Sequence, residues 1–509
     1  MPLHADLVVV NARILTMDPA KPQAEALALR GGRLVAVGSR AEAEALKGPG
    51  TEVIDAGGRV LLPGFVDAHT HLVQYGMQLL RLNLGTVRSV EECLERVKER
   101  AQMTMQGGWV VGHSWDEMKW DRPLVPTREQ LDRIAPDKPV VLIRVDIHSV
   151  VVNSEALRRA GMDPAVHPTG FLTEHDAYRI TDLVKPTVET HVKGLERAAR
   201  ALWERGITSV HAIVDHDDVD ALQRARDKGS LPVRTLLYYR VDDLEHLLAL
   251  KLHRGFGDAW LRVGGLKLFT DGSIGSRTAA ISFPYRGSET NKGMFIYDDK
   301  KLFDLAARAH AGGLQLAIHC IGDAAVDQAL RAIDHALSEH PSQDVRHRLE
   351  HLELFTDKDA QRMKELGVIA SCQPNFIGEW GHAGQMYADR LGAEIVGKHN
   401  RLAVLKRLGI PIAFGSDHMP TGPLYGIHCA VNAPTPDQRL NVEEALYAYT
   451  RGAAYGGFLE REVGTLAPGY FADFIVLDKD PRDHPTSVKD VQVLLTVLDG
   501  RVVHRLLPR

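Results

Sequence analysis

The chain has 509 residues, of which 44% are hydrophobic and 25% charged, and its formal net charge is -5. That length accommodates one large barrel plus a smaller module, or about three average domains, with a sizeable core. The balanced charge excludes the basic composition of a nucleic-acid or anionic-membrane binder, so neither is expected as a partner.

The opening residues MPLHADLVVVNARIL lack the basic, then apolar, then small-residue order of a secretory leader, and no later apolar run reaches the length of a membrane span. A cytoplasmic location is the expectation. Cys93, Cys320, Cys372 and Cys429 are widely spaced and include no Cys-x-x-Cys pair, which points to reduced thiols.

Residues 6–17, 24–37 and 51–62 read as short strands, with turns at Gly31-Gly32 and Gly57-Gly58. The pattern returns at the far end, in Phe474-Ile-Val-Leu477 and in residues 491–504, which are broken by the hairpin signal Asp499-Gly500. Each end alone is too small for a core. We therefore expect one small β-sandwich module assembled from residues 1–60 and 461–509, with a catalytic domain at 61–460 inserted between its halves.

The stretch GFVDAHTHL, residues 64–72, follows an apolar run and carries two histidines at i and i+2. On a strand that spacing puts both imidazoles on one face, and neutral imidazole is a common ligand for first-row metals. Because the chain holds 24 histidines, one His-x-His pair alone is unremarkable. His69 and His71 need partners elsewhere to count as metal ligands.

After His71 an excursion runs to about residue 185. Residues 90–103 have helical spacing, Trp109-Val110-Val111 reads as a strand, and residues 140–152 form an apolar run. Enlarged loops on the C-terminal side of barrel strands carry substrate selectivity. Trp115, Asp116, Trp120, His148 and Asn153 are the candidates there for lining a pocket, with packing or capping as the alternative role for each.

From Glu189 onward helices and strands alternate. Strands are expected at residues 207–211, 233–239, 261–269, 314–319, 348–353, 368–372 and 412–414. With the strand before His69 they number eight, the count of a (β/α)8 barrel in the α/β class. Active sites of such barrels lie at the C-terminal strand ends. The fourth strand holds Lys267, the fifth ends on His319, the sixth holds His351 and the eighth is followed by Asp417. Each residue has a bland reading: a core histidine, a helix-capping aspartate, a snorkelling lysine. Together with His69 and His71 they form a series on strands one, four, five, six and eight that chance rarely supplies.

The ordered segments GFVDAHTHL, LKLFTDGSIGSRTA, LAIHCIGDAAVD, LEHLEL and FGSDHMP, followed by EALYAYTRGAAYGGF and VGTLAPGYFADFIVLDKDP, resemble the metal-dependent amidohydrolase superfamily across essentially the whole chain. More narrowly they resemble amidohydrolase family 3, the branch with N-acyl-amino-acid deacylases and N-substituted formamide deformylases. The resemblance implies that His69, His71 and Asp417 hold the more buried of two metal ions and that His319 and His351 hold the second. It implies that Lys267 bridges them as a carbamate formed with carbon dioxide. Chemically this is reasonable, because a lysine desolvated in an apolar strand has a lowered pKa and reacts as the free amine.

The implied activity is hydrolysis of an amide-type, non-peptide carbon–nitrogen bond of a small molecule. A hydroxide bridging two ions about 3.5–4 Å apart attacks, and Asp417 serves as general base and then acid. Zinc is the default ion for a histidine-rich set, with iron, manganese or nickel as substitutes set by supply. His418 and Asp323, close in sequence to ligands, are candidates for the surrounding shell, and His418 is also a candidate for contacting substrate. Arg277 is a candidate for binding a substrate carboxylate or for ordering its own loop. Selectivity is also expected in the loops after strands seven and eight, around Gln373 and residues 421–428. Oligomeric state is open, a homodimer being common for such barrels.

Two rival readings stand beside this one. A mononuclear deaminase of the same superfamily generally has a glutamate a few residues after the fifth-strand histidine, where this chain reads Cys-Ile-Gly-Asp. A non-catalytic metal-binding regulatory protein on the same scaffold would keep the ligands without turnover.

Overall fold

A computed structural model describes residues 4–144 and 149–507. The chain divides into two compact units, residues 1–72 with 199–509, and residues 73–198. The second unit extends past the expected end near residue 185, into the helix Val188–Trp203.

The first unit contains a sheet of eight parallel strands in chain order: β1 (Phe65–Thr70), β2 (Ile207–Val214), β3 (Arg234–Arg240), β4 (Leu261–Phe269), β5 (Gln315–Cys320), β6 (Arg348–His351), β7 (Ile369–Cys372) and β8 (Ile412–Phe414). Strands β1, β2 and β7 are buried at every position, as parallel strands covered on both faces are. The seam between first and last strands is bridged where the Asp417 N–H donates to the His69 carbonyl at 2.8 Å. Gly415 permits that approach: a Cβ there would stand 2.4 Å from the His69 nitrogen.

Helices follow the strands because their apolar residues recur with helical spacing. In Asp323–Glu339 the residues Val326, Ala329, Leu330, Ile333 and Ala336 are buried along one stripe. The preceding helix, Asp299–Ala311, starts where the Asp298 side chain accepts the Lys301 N–H at 2.8 Å.

Two further sheets in this unit come from the chain ends. A four-stranded sheet is built from residues 7–55. A six-stranded sheet interleaves both ends, with Val60–Pro63 paired to Arg13–Leu15 on one side and to Phe474–Leu477 on the other. One apolar cluster joins them, including Val9, Leu27 and Ile54 from the first sheet and Phe474, Leu495 and Val497 from the second.

The second unit holds a five-stranded sheet whose central strands are Val110–Trp115 and Val140–Arg144. The helix Val90–Met103 coincides with its expected bounds and buries Val90, Cys93, Val97 and Ala101. Among the described residues no helix is long and apolar enough to cross a membrane.

Candidate metal centre

The C-terminal strand ends of the first unit surround a cavity of about 380 Å³. His69, His71, Lys267, His319, His351 and Asp417 all line it. One ligating atom from each of His69, His71 and Asp417 lies within 4.8 Å of the other two. The Asp417 Oδ1 stands 3.4 Å from His71 Nε2 and 3.9 Å from His69 Nε2. The rings of His319 and His351 are 4.5 Å apart between centroids, and those of His69 and His351 4.8 Å.

Backbone geometry produces this convergence. His351, at the end of β6, has φ of 71°, and Asp417, just after β8, has φ of 48°. Side-chain-bearing residues rarely occupy that left-handed region, and its concentration at two strand ends marks places where the fold imposes the conformation.

Two of the rings, His69 and His319, are held by their other nitrogen. His69 Nδ1 lies 2.5 Å from Glu350 Oε2, leaving Nε2 toward Asp417. His319 Nε2 lies 3.0 Å from the Gly272 carbonyl and 3.4 Å from Asp271, leaving Nδ1 as its free nitrogen. Such partners fix the ring orientation and the tautomer. Glu350 is held in turn by Arg348, whose Nε donates to it at 2.7 Å. The fully buried guanidinium also reaches His211 on β2, Tyr238 on β3, the Ala68 carbonyl on β1 and Ser371 on β7. It thereby ties five strands together beneath the histidines.

The loops carrying the site are anchored by carboxylates. Asp67 accepts the backbone N–H groups of Ser416 at 2.9 Å and His69 at 3.2 Å, and the Ser416 hydroxyl at 2.5 Å. Asp271 accepts the N–H groups of Ala280, Ile321 and Gly322, joining the β4 loop to the end of β5. Asn375 donates to the Ser416 and Met419 carbonyls on either side of Asp417.

Burial sets the protonation states. It pushes His69 down to about 4, aided by the nearby Lys267 ammonium, and holds His71 and His351 well below the ordinary imidazole range. Neutral imidazole is the ligating form. Burial also lowers Lys267 to about 8 against the attraction of Glu350 and Asp417, and raises Asp417 to about 7 against the pull of Lys267. Burial opposes ionisation of Glu350, yet Arg348 and then His69 overcome it and keep the group well below the usual carboxylate range.

The donor set fits divalent metal. Three nitrogen and oxygen ligands of the types that first-row ions accept are preassembled in His69, His71 and Asp417. The Lys267 Nζ and the His351 Nδ1 are buried at the cavity without hydrogen-bond partners among the described residues. Buried polar atoms left unpaired are costly and point to a missing partner.

Other expected site residues fall elsewhere. Trp115 is fully buried in the core of the second unit, and its indole N–H donates to the Leu142 carbonyl at 3.0 Å. That burial leaves no free face, which corrects its assignment as a pocket residue. Trp120 packs in the same cluster, Asp116 caps a short 3₁₀ turn and Asn153 caps Ser154–Arg159 while bonding Val140, Ala135 and Lys138. His148 lies outside the described residues. Arg277 sits in the loop after β4 with φ of 57° and does not line the cavity. His418 is also absent from the lining, but its ring is 5.7 Å from His71, and burial pushes it down to about 4. Asp323 accepts the Ser282 N–H and hydroxyl, a loop-bracing role.

The sequence reading passed over Glu350, Arg348, Asp67, Asp271 and Glu353. The signal was present as charged residues inside otherwise apolar strands and motifs, in RLEHLEL, GFVDAHTHL and LFTDG. Glu353 is buried at the cavity, where burial raises it to about 8 against the Tyr387 hydroxyl that bonds it.

Residues 52–504 match the amidohydrolase family. The chain is 32% identical to the protein LONG AFTER FAR-RED 3 of Arabidopsis thaliana, over 98% of this chain and 92% of that one. It is 28% identical to the N-substituted formamide deformylase of Arthrobacter pascens, over 97% of both chains. Among solved structures, an uncharacterized metal-dependent hydrolase from Pyrococcus furiosus has 32% identity and a TM-score of 0.78, over 94% of this chain and 99% of that one.

Proposed function

Because the chain belongs to the amidohydrolase family, we propose that it hydrolyses an amide-type, non-peptide carbon–nitrogen bond of a small molecule, with Asp417 moving the proton. The observation that carries this reading is the convergence of six side chains from β1, β4, β5, β6 and β8 on one cavity.

In this reading His69, His71 and Asp417 hold one divalent ion, while His319 and His351 hold another. Zinc is the ion expected first for such ligands. Lys267 would join this ligand set as its carbamate: the neutral amine nitrogen would bond the carbon of carbon dioxide and release a proton to solvent, giving an anion with two oxygen donors. The burial and the unpaired Nζ of Lys267 support that chemistry, since an ammonium would bind no cation. When bound, the metal supplies a Lewis acid for the substrate carbonyl and lowers the pKa of water.

The chain's own residues do the rest. The Asp417 carboxylate takes a proton from the attacking water and returns it to the leaving nitrogen, as one group acting first as base and then as acid. Asp67 and Asn375 hold the Ser416–Met419 backbone on either side of it, so its carboxylate keeps its place. Glu350 holds His69 in the tautomer that offers Nε2.

Metal analysis of protein purified without chelator, followed by a panel of N-acyl and N-formyl amines, N-acyl amino acids, cyclic amides and lactones, tests the reading. Metal-dependent release of an amine supports it. Bound metal with no turnover on any member overturns it in favour of a binding role.

A further inference from the structure

The segment that carries Asp417 borders two cavities. Asp417 and Met419 line the one at the metal centre, while Thr421 lines a second, of about 460 Å³, that shares no lining residue with the first. Its walls are Glu204 and Arg205, just after helix Val188–Trp203, the start of helix Pro423–Val431, and C-terminal residues between 489 and 506. All of them belong to the first unit.

The lining carries unpaired positive charge. Arg205 donates only to carbonyls, from Nε to Thr421 at 3.1 Å and from Nη1 to Ala201 at 2.7 Å, and Lys489 makes no hydrogen bond or ion pair among the described residues. The one carboxylate of the lining, Glu204, is already bound by Arg200 at 2.6 Å. Uncharged donors stand beside the cations. Helix Pro423–Val431 begins without a side-chain cap, and the N–H groups of Leu424 and Tyr425 have no acceptor among the described residues. The buried Thr421 Oγ1 is also without a partner. Such groups are costly when unpaired, and an oxyanion satisfies them.

The rest of the lining is apolar, with Leu424, Val491, Val493 and Leu506. The volume falls within the range of small-molecule sites, about 300–1,000 Å³, and exceeds what a bare inorganic anion fills. An anionic head on an organic body fits both features.

We propose that this cavity is a second ligand site, for a small organic phosphomonoester, and that its occupant acts on the Asp417 segment through Arg205 and Thr421. A phosphomonoester carries a charge of about -1.5 to -2 at pH 7 and three acceptor oxygens, which match the two unpaired cations and the three unpaired donors. A carboxylate, with a single charge, leaves one cation unmatched. Arg205 is the link, because its guanidinium both holds the Thr421 carbonyl and supplies charge to the cavity. The ligand site stands apart from the hydrolytic reading, whereas the coupling rests on it for Asp417 as a metal ligand.

Isothermal titration of the full-length, zinc-loaded protein with phenyl phosphate and with inorganic phosphate tests the site. The ester is expected to bind at least about 10-fold more tightly than the ion, the gain from burying its ring on the apolar side. K489Q and R205Q should each weaken the ester at least about 10-fold, as loss of a hydrogen bond to a charged group does. Lys489 is exposed, so K489Q keeps the fold and carries the comparison alone if R205Q lowers the thermal midpoint. Coupling is measured as zinc affinity, by competition with a chromophoric chelator, with and without saturating phenyl phosphate. A change of about fivefold or more is expected in the wild type, with the double variant correcting for direct contact between ester and zinc.

Ester binding that survives both substitutions belongs to the metal centre and overturns the site, as does a wild type that binds no ester. Equal affinity for inorganic phosphate overturns the choice of an ester. Selective ester binding with unchanged zinc affinity overturns the coupling. Ester binding by a protein that takes up no zinc sinks the hydrolytic reading and leaves the site standing.

Discussion

His69 Nδ1 and Glu350 Oε2 lie 2.5 Å apart, with both side chains buried and Glu350 clamped from behind by Arg348. The orientation of the His69 ring is therefore set by a charge pair inside the barrel. Replacing Glu350 by Gln should weaken metal binding by about 10–100-fold while preserving the fold, as loss of such outer partners does. Glu350→Ala should also destabilise the protein by about 3–5 kcal/mol, because the Arg348 guanidinium would stay buried without its carboxylate. Competition with a chromophoric chelator measures the first effect and urea unfolding the second.

Lys267→Ala should lower bound metal from two equivalents toward one and reduce kcat by at least about 100-fold, given that two-metal sites depend on both ions. Labelling with ¹³C-bicarbonate should give a carbamate resonance in the wild type that is missing from the variant. An unlabelled wild type binding two ions would show that Lys267 contributes in some other form.

If Asp417 carries the proton and holds metal as proposed, Asp417→Asn removes both that carrier and one anionic ligand. We expect kcat to fall by about 10²–10⁴-fold, with the substrate affinity nearly unchanged. Rapid-quench kinetics at saturating metal separates the chemical step from loss of the ion.

Acid stability should carry the mark of buried neutral histidines. Burial pushes His347 from an ordinary 6.5 down to about 3, with His310 adding to the effect. Below about pH 6.5 the unfolded chain takes up a proton that the folded His347 refuses, so stability is complete above that pH and erodes as pH falls toward 3. Each such group contributes a slope of about 1.4 kcal/mol per pH unit within its window. Urea titrations between pH 6.5 and 5 should show the slope reduced by about one proton in His347→Gln relative to wild type.

Gly415→Ala should disturb the site without touching a ligand side chain. The added Cβ would meet the His69 backbone nitrogen at 2.4 Å, and neither backbone can give way freely. A loss of about 1–3 kcal/mol is expected, the range for overpacking, together with weaker metal binding. Thermal unfolding and chelator competition on the same preparation check both.

The barrel and its candidate ligands were legible because the apolar strands are long and their chemistry lies at their ends. His319 and Asp417 close apolar runs, so their position alone drew attention to them. Arg348 and Glu350 escaped notice because charge in a short strand ordinarily signals a surface. Here both face inward from the same strand and neutralise each other side by side. His351 is a different case: simple alternation would pair it with Leu349, and its φ of 71°, followed by 49° at Leu352, breaks that alternation at the strand end. Trp115 misled for the opposite reason, since an aromatic residue beside polar neighbours looks the same whether it lines a pocket or fills a core.

The pairing of Val60–Pro63 with Phe474–Leu477 has a consequence for biosynthesis. About 400 residues separate the partners, and at roughly 5–20 residues per second the ribosome needs about 20–80 s to deliver the second strand. Throughout that interval one side of Val60–Pro63 is an open template for pairing with any neighbouring nascent chain. Translation speed and chaperone supply thus bear on the yield of native protein, and a message cut short before Phe474 would produce a chain with that edge permanently bare.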